Sequence, residues 1–358
     1  MLLKIVVLPG DGIGPEVIAE AVRVLEATAR VFGHDLDLSY KEIGGAAIKR
    51  VGSPLPDETL EACLSGGAVL MGAVGGPTFD AMPLDSRPEA GLLRLRRELG
   101  AFANLRPAVA FKPLLGSSPL RPDVIEGTDI LIVRELLGGL YFGEPRGTVD
   151  GTEGSEAINT MRYSAREIRR IAVLAFEMAR ARRSRVTSAD KANVLECSRL
   201  WRETVSHVAE DYPDVALEHQ YVDSCAMALV SRPSSFDVIL TENMFGDILS
   251  DEAGAVVGSL GLLASASLGG RVGLYEPVHG SAPDIAGRGI ANPLGAILSV
   301  AMMFRNSFNL GAEAALIERA VEQTLADGFR TRDLVEAGSS WITTSEMGSR
   351  VAGRVLTP

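Results

Sequence analysis

The stretch LPGDGIGPE, residues Leu8–Glu16, joins the first apolar run of the chain to its first helical pattern. A strand is predicted before it at Lys4–Leu8, and a helix after it at Pro15–Phe32. A strand that leads through a glycine-rich turn into a helix is typical of α/β proteins and often binds a phosphate. The glycines are spaced GxGxG, however, and not GxGxxG as in dinucleotide-binding loops. A tight turn at a strand end that faces a ligand is at least as good an interpretation.

The remaining chain alternates short apolar strands with longer helices, which predicts an α/β protein with a largely parallel sheet covered on both faces. No linker divides the sequence, so if there are two domains the chain passes between them more than once. The Gly/Thr-rich stretch Arg146–Glu156 is predicted to be an exposed loop or a small arm. Further strands are predicted at Ala68–Met71, Asp129–Val133, Val186–Ser188, Ala216–Tyr221 and Asp237–Thr241, and further helices at Pro56–Leu64, Gly91–Leu99, Ala165–Ala181, Val194–Tyr212, Asp247–Val257, Pro293–Asn306 and Ala312–Asp327.

Composition excludes several classes of protein. The 358 residues are 46% hydrophobic and 23% charged, as in globular proteins, and not as in disordered chains or coiled coils. The formal net charge of −11, without a basic block interleaved with aromatic residues, argues against nucleic acid or membrane as a partner. Three scattered cysteines, no cleavable signal and no sufficiently apolar 20-residue run predict a soluble, cytoplasmic protein.

One helical face in the segment around GLLRLRRELG carries Glu89, Leu92, Leu93 and Arg96, because these residues are spaced i, i+3, i+4 and i+7. Two interpretations remain open. The segment is an ordinary amphipathic surface helix, or it is one wall of a substrate site. In the second case Arg96 binds an anion and the leucines contact an alkyl group.

Two further arginines stand in apolar surroundings, Arg106 in FANLRP and Arg134 at the end of the run ILIV. A charge in such a place is costly unless it meets an anion. Guanidinium groups bind carboxylates through two hydrogen bonds, so three arginines suit a dicarboxylate. The alternative is a structural salt bridge to Glu135 or another nearby acid.

Three aspartates form a candidate metal site. Asp247 and Asp251 lie one helical turn apart in NMFGDILSDE, and Asp223 follows the strand-like HQYV. Carboxylate oxygens suit Mg²⁺ or Mn²⁺, which also take substrate oxygens as ligands. The alternative is that acids early in a helix only interact with the helix dipole.

Lys191 in DKANVL and Tyr141 in GGLYFGEPRG are candidates for proton transfer. A lysine near other cations or in a dry site has a lowered pKa and can act as a base. A tyrosine between glycines can approach a ligand closely and donate its phenolic proton. A solvated loop charge and a packed tyrosine are the respective alternatives.

The segment Glu276–Pro293 contains so many glycines and prolines that it is predicted to be an extended loop. A structureless loop of this length is usually functional. His279 and Asp284 are candidates for binding an adenosine group, since Asp284 can accept hydrogen bonds from ribose hydroxyls. Its charge would repel a 2′-phosphate and favour NAD over NADP.

Six segments together resemble the motifs of the β-decarboxylating 2-hydroxyacid dehydrogenases, the isocitrate/isopropylmalate dehydrogenase family. They are LPGDGIGPE, ANLRP, VRELLGGLYFGEPRG, DKANVL, FGDILSDE and EPVHGSAPDIAG. The resemblance runs from Ile5 to about Gly348. It implies two α/β domains around a large mixed sheet, and not a Rossmann fold. The implied cofactor-binding domain comprises residues 1–101 and 258–358. The implied second domain, residues 102–257 with an arm near 146–156, serves dimerisation and binds metal and substrate.

The resemblance also assigns roles by position. It implies a homodimer in which each active site takes Lys191 and Asp223 from the neighbouring subunit. Proton transfer is assigned to Tyr141 and Lys191, and binding of the substrate to Glu89, Leu92, Leu93, Arg96, Arg106, Arg134 and Asp223. Binding of Mg²⁺ or Mn²⁺ is assigned to Asp223, Asp247 and Asp251, and binding of NAD to Glu276, His279, Gly280, Ser281, Ala282, Asp284, Ile285, Ala291 and Asn292.

Within the family, Glu89, Leu92 and Leu93 match the members that act on isopropylmalate. The implied activity is the NAD-dependent oxidative decarboxylation of (2R,3S)-3-isopropylmalate to 4-methyl-2-oxopentanoate and CO₂ in leucine biosynthesis. The alternatives are a sister enzyme for malate, tartrate or another alkylmalate, and a non-catalytic paralogue, which the filled catalytic positions disfavour. Glu242 departs from many members and is expected to add negative charge near the metal.

Overall fold

The computed structural model describes residues 1–152, 154–336 and 338–357. The chain divides into two compact units. The first comprises residues 1–101, 111–119 and those from Gly258 onward, and the second comprises residues 102–110 and 120–257. Residues 111–119, which lie inside the predicted second domain, thus group with the first unit.

The strands are β1 (Leu2–Gly10), β2 (Asp35–Tyr40), β3 (Ala68–Ala73), β4 (Ala103–Val109), β5 (Asp129–Glu135), β6 (Gly147–Gly151), β7 (Gly154–Ile158), β8 (Arg185–Asp190), β9 (Ala216–Tyr221), β10 (Val238–Thr241), β11 (Ala264–Leu268) and β12 (Gly273–Pro277). The helices are α1 (Gly14–Phe32), α2 (Gly44–Val51), α3 (Asp57–Ser65), α4 (Pro88–Glu98), α5 (Pro122–Ile125), α6 (Ala165–Arg180), α7 (Glu196–Ala209), α8 (Val222–Ser231), α9 (Asn243–Val257), α10 (Leu294–Ser307), α11 (Gly311–Ala326) and α12 (Thr344–Leu356).

The first unit is built on the strand order β2-β1-β3-β12-β11. Neighbouring strands are parallel except β11 and β12, which are antiparallel. Strand β3 is buried along its whole length, because it lies in the middle of this group. Helix α1 packs against α10 and α12, so residues from both ends of the sequence share one core.

The second unit is built on the strand order β4-β5-β10-β8-β9. Only β4 and β5 are antiparallel to each other. Helix α6 packs against β5, β8 and β10, and α9 packs against β4, β5 and β10. Parallel strands with helical connections therefore dominate both units, and the expected mixed α/β fold is confirmed.

The stretch predicted to be an exposed loop or a small arm contains a two-stranded antiparallel ribbon, β6–β7. Every residue described in its two strands is exposed, including Val149 and Ile158. A lone hairpin without a buried face is marginally stable in water. Both faces of this ribbon are therefore open to solvent in the described part of the single chain.

The turn after β1 is fixed by the carboxylate of Asp11. It accepts hydrogen bonds from the backbone N–H of Gly45 at 2.7 Å, Ala46 at 2.8 Å and Gly75 at 2.9 Å. The first two are in the first turn of α2, where backbone N–H groups lack helical partners. The third lies just after β3. One side chain of the opening motif thus holds α2 and the end of β3 in place.

No helix in the described part of the chain is long and apolar enough to span a bilayer.

Replacing Asp11 with alanine should lower the free energy of unfolding by about 2 kcal/mol, because three N–H groups lose a charged acceptor. Urea denaturation followed by circular dichroism measures this. Asp85→Ala, at an exposed position in the same unit, is the control and should change stability by less than about 0.5 kcal/mol. Equal effects of the two substitutions would contradict the role given to Asp11.

Candidate active site

The candidate residues of the second unit lie around the carboxylate of Asp247, which belongs to helix α9. Asp247 accepts a hydrogen bond from Tyr141 Oη at 2.8 Å and forms ion pairs with Arg134 Nη1 and, at 3.3 Å, with Arg106 Nη1. Arg134 is the next-to-last residue of the buried strand β5, and Arg106 lies on the antiparallel neighbour β4. Their charges meet an acid, as predicted, but Arg134 pairs with Asp247 and not with Glu135, which pairs with Arg170.

The charges around Asp247 set the protonation of this cluster. Burial would raise the pKa of Asp247, but Arg134 and Arg106 outweigh it and hold the pKa below its usual range. Burial and the hydrogen bond to Asp247 raise the pKa of Tyr141 to about 12. At neutral pH the cluster therefore combines an ionised carboxylate with a protonated phenol.

Asp251 lies one turn after Asp247 and is 60% exposed. Burial of its carboxyl group raises its pKa and the charge of Asp247 adds to this, while Arg106 opposes it. The described residues contain no group of three or more His, Cys, Asp or Glu side chains placed to hold a metal. The chain by itself thus offers two carboxylates, which suits Mg²⁺, an ion commonly bound by one or two carboxylates plus water and substrate oxygens.

The third predicted metal ligand lies elsewhere in the second unit. Asp223 is in the first turn of α8, where a helix was not predicted, and accepts a 2.7 Å ion pair from Lys191 Nζ just after β8. This hydrogen bond lowers the pKa of Asp223. Among the described ion pairs, neither residue contacts Asp247 or Asp251.

In the first unit, Arg96 of α4 and Glu276 of β12 form a 2.7 Å ion pair and are 11% and 7% exposed. The Nε of Arg96 is buried and has no hydrogen-bond partner in the described part of the chain. A buried donor without a partner is costly. Arg96 therefore keeps one N–H available for an anion while its charge is stabilised by Glu276.

The other residues predicted on this face of α4 differ in exposure. Glu89 is exposed near Gly75, whereas Leu92 and Leu93 are half-buried. Leu92 packs partly against the apolar core of the first unit, as in the amphipathic-helix interpretation. Leu93 therefore offers alkyl surface with no described part in that core cluster.

The extended loop predicted over Glu276–Pro293 begins two residues later, because Glu276 and Pro277 belong to β12. Residues 278–293 form neither helix nor strand. His279 is neutral at pH 7 because burial lowers its pKa, and its buried Nε2 has no partner among the described residues. Ser281, Ala291 and Asn292 are buried, Ala282 and Ile285 are partly buried, and Gly280 and Asp284 are exposed.

The opening motif fastens this loop. Ile13 N–H donates to the Ser281 carbonyl at 2.8 Å, and the carboxylate of Glu16 accepts the N–H groups of Gly287 and, at 3.2 Å, Gly289. A Cβ at Gly12 would come within 1.9 Å of the Ser281 carbonyl oxygen. The glycine-rich turn therefore supports the candidate cofactor loop.

Comparisons with a family model, with related sequences and with solved structures identify the same family. The family model described as isocitrate/isopropylmalate dehydrogenase matches residues 4–351. The chain belongs to this family. It is 56% identical to a 3-isopropylmalate dehydrogenase of Aquifex aeolicus over 97% of this chain and 96% of that one. It is equally identical to one of Nitratidesulfovibrio vulgaris over 99% of this chain and all of that one.

Solved structures agree with the family assignment. Isocitrate dehydrogenase from Methylococcus capsulatus superimposes with a TM-score of 0.87 at 37% identity and 99% coverage of both chains. A β-decarboxylating dehydrogenase from Thermococcus kodakarensis gives 0.79 at 38% identity, with 99% of this chain and 96% of that one covered. The resemblance inferred from the motifs and the expected fold of the isocitrate/isopropylmalate dehydrogenase family are thereby confirmed, and the chain is an oxidoreductase.

The sequence interpretation overlooked the neutral residues that hold the family's arginines. Asn104 Oδ1 accepts from Arg106 Nε at 2.7 Å, Ser250 Oγ accepts from Arg106 Nη1 at 2.7 Å, and Asn243 Oδ1 accepts from Arg134 Nε at 3.0 Å. Spacing contains a signal for both asparagines. Asn104 shares a strand face with Arg106 at i, i+2, and Asn243 shares a helix face with Asp247 at i, i+4.

Glu242 lies at the start of α9 and is buried. Its carboxylate accepts the N–H groups of Met244 at 3.0 Å and Phe245 at 2.9 Å, and the Tyr163 hydroxyl at 3.2 Å. Burial raises the pKa of Glu242. The expected extra negative charge thus points into the first turn of the helix, and it contributes to raising the pKa of Tyr141.

Glu242 should make stability depend on pH. A carboxyl whose folded-state pKa exceeds the unfolded value of 4.5 takes up a proton on folding between these two values. The free energy of unfolding of the wild type should therefore rise relative to that of Glu242→Gln as the pH falls from neutrality toward 4.5. Urea titrations at several pH values measure the difference, with Glu61→Gln at an exposed position as control. A difference that is constant with pH would show that Glu242 does not titrate in this way.

Proposed function

We propose that this protein catalyses the NAD⁺-dependent oxidative decarboxylation of (2R,3S)-3-isopropylmalate to 4-methyl-2-oxopentanoate and CO₂, with Mg²⁺ or Mn²⁺, in leucine biosynthesis. The observation that carries the proposal is the shared use of Asp247 by two arginines and a protonated tyrosine. This arrangement combines groups that bind carboxylates with a group that donates a proton. The names of relatives 56% identical over nearly the whole chain support the same reaction.

The arginines bind and orient the substrate. The Nη1 atoms of Arg106 and Arg134 are directed to one point, near the Asp247 carboxylate, so a substrate carboxylate there would meet both guanidinium groups. Arg96 in the first unit retains an unused N–H for an anion. Glu89 and the half-buried Leu92 and Leu93 on the same helix are the proposed contacts of the isopropyl group.

Two side chains move protons. Lys191 Nζ takes the proton of the C2 hydroxyl as the hydride leaves C2. After CO₂ departs from the carboxylate on C3, Tyr141 Oη donates a proton to C3. The pKa of about 12 keeps the Tyr141 phenol protonated at neutral pH, which a donor requires, and the nearby Asp247 carboxylate keeps its hydroxyl oriented.

The remaining groups of the proposal hold the cofactor and the metal. Asp247 and Asp251, with Asp223, would hold Mg²⁺ or Mn²⁺, and the bound ion would supply a Lewis acid for the C2 oxygen of the substrate. The hydride acceptor would be supplied by bound NAD⁺. The loop from His279 to Asn292, together with Glu276, is proposed to bind it, and the exposed acid Asp284 would select NAD over NADP.

We propose that the active enzyme is a cytoplasmic homodimer in which Lys191 and Asp223 act in the partner's site. Within one chain they pair with each other and not with Asp247. Helices α8 and α9 pack together and expose Met227, Val230 and Ile248, an apolar surface that a second copy would cover. The described cysteines are all free, which fits a reducing compartment.

The substrate is tested by following NADH formation with 3-isopropylmalate, malate, tartrate and isocitrate, each with Mg²⁺ and with excess chelator. Turnover should be largely confined to 3-isopropylmalate and lost with the chelator. Preference for another acid would be consistent with the proposed oxidative decarboxylation but would reject the substrate pocket assigned to Leu92 and Leu93. NADH formation that is unaffected by the chelator would reject the metal site.

Shared active sites predict complementation between inactive variants. Lys191→Ala and Asp247→Ala should each be nearly inactive, because each lacks a group that every site needs. After unfolding and refolding together, half of the dimers are mixed and have one intact site of two. Activity should return to about one quarter of the wild-type value. Refolding each variant alone is the control, and no recovery in the mixture would place Lys191 and Asp247 of the same chain in one site.

A further inference from the structure

The first turn of α9 surrounds the side chain of Arg134 at three points. Asn243 Oδ1 accepts from Nε at 3.0 Å and from Nη2 at 2.7 Å, and Asp247 pairs with Nη1. The alkyl part of Arg134 passes directly over Gly246, where a Cβ would lie 2.6 Å from Arg134 Cγ. The guanidinium of Arg134, 3% exposed, is thus held in one orientation.

The amide of Asn243 has only one orientation that satisfies all its bonds. Its Nδ2 donates to the carbonyls of Leu136 at 3.2 Å and Gly138 at 3.1 Å, so both of its N–H groups have acceptors. A flipped amide would direct N–H groups at a guanidinium and an oxygen at two carbonyls. The oxygen must therefore face Arg134.

A neutral acceptor at this position has an electrostatic consequence. Asn243 satisfies the Nε and Nη2 donors without cancelling the charge of Arg134, as a second carboxylate would. The single carboxylate of Asp247 then faces the two positive charges of Arg134 and Arg106. The ring of Tyr141 lies beside them, with its centroid 5.6 Å from Arg134 Cζ.

We propose that Asn243 is a positioning residue that directs Arg134 at the substrate carboxylate without neutralising it. The inference rests on the proposed function, because it concerns how the same site binds its dicarboxylate. Asn243 itself touches no reacting atom, so its effect must pass through Arg134. Loss of the amide should leave Arg134 charged but free to turn away from the substrate.

The expected effect of Asn243→Ala is a rise in the KM for 3-isopropylmalate of roughly 10- to 100-fold, the size expected when hydrogen bonds to a charged group are lost. The KM for NAD⁺ and the kcat at saturating substrate should change by less than about threefold, since the amide contacts neither the cofactor loop nor the proton donor. A variant that is only poorly folded would change all three constants or the melting temperature. If the alanine variant does not fold, Asn243→Ser is used in its place, because the serine hydroxyl can donate to the carbonyl of Leu136 or Gly138.

A double-mutant cycle distinguishes positioning from a general structural role. In an Arg134→Met background, Asn243→Ala should have no further effect on kcat/KM beyond about twofold, because the residue it acts through is gone. In the matched Arg106→Met background the full Asn243→Ala effect should remain. The affinity for 3-isopropylmalate, measured by calorimetry with Mg²⁺ and without NAD⁺, should follow the same pattern without turnover.

Equal effects of Asn243→Ala in both backgrounds would overturn the inference. The proposed function fails separately, if the wild type does not oxidise 3-isopropylmalate. The cycle compares variants with one another, so it can be repeated with whichever acid the wild type prefers. A failed cycle with an active wild type rejects the role of Asn243 alone.

Discussion

The second unit depends on one carboxylate that several buried groups need at once. Arg134 and Arg106 are buried at strand positions where an unpaired charge would cost several kcal/mol, and Asp247 supplies the opposing charge to both. Burial and the same carboxylate together raise the pKa of Tyr141, so the phenol stays protonated, and its hydrogen bond to Asp247 orients it. Folding stability and the candidate chemistry therefore both require the same position of Asp247 on α9. Its acid must face β4 and β5, and a glycine one residue earlier must leave room for the arginine stem.

In the first unit, the corresponding constraint is the glycine-rich motif with which the sequence opens. Its spacing does not fit a dinucleotide loop, and the structure explains the residues differently. Asp11 fastens α2 and the end of β3, while Ile13 and Glu16 fasten the loop that follows β12. The motif supports the candidate cofactor loop, and its Gly12 allows a close approach to the backbone of that loop.

The sequence predicted strands well where hydrophobic residues run continuously, as in β3 and β5, because a buried parallel strand needs apolar side chains on both faces. It missed β2, β4, β11 and β12. Their sequences, DLDLSY, ANLRPAV, ASASL and GLYEP, contain polar, small, glycine or proline residues instead of a continuous apolar run. Charged site residues were recognisable because burial of a charge demands a partner. Asn104 and Asn243 were overlooked. Their spacing from Arg106 and Asp247 is a signal, but an asparagine has many uses and only the position of its amide shows which one applies. The pairing of Lys191 with Asp223 could not be predicted either, because it depends on how the end of β8 and helix α8 are placed in the fold.

The divided first unit also constrains how the protein is made. Strand β3 finds its second neighbour in β12, and α1 packs on α10 and α12, all encoded after the entire second unit. During synthesis, the N-terminal segment therefore has an unpaired edge on β3 and an uncovered face on α1 until these later elements have been made. At typical elongation rates this lasts on the order of 10 s, the kind of interval in which exposed edges recruit chaperones or aggregate. The second unit has its whole sheet earlier, so synthesis itself favours an order in which the middle of the chain folds before its ends.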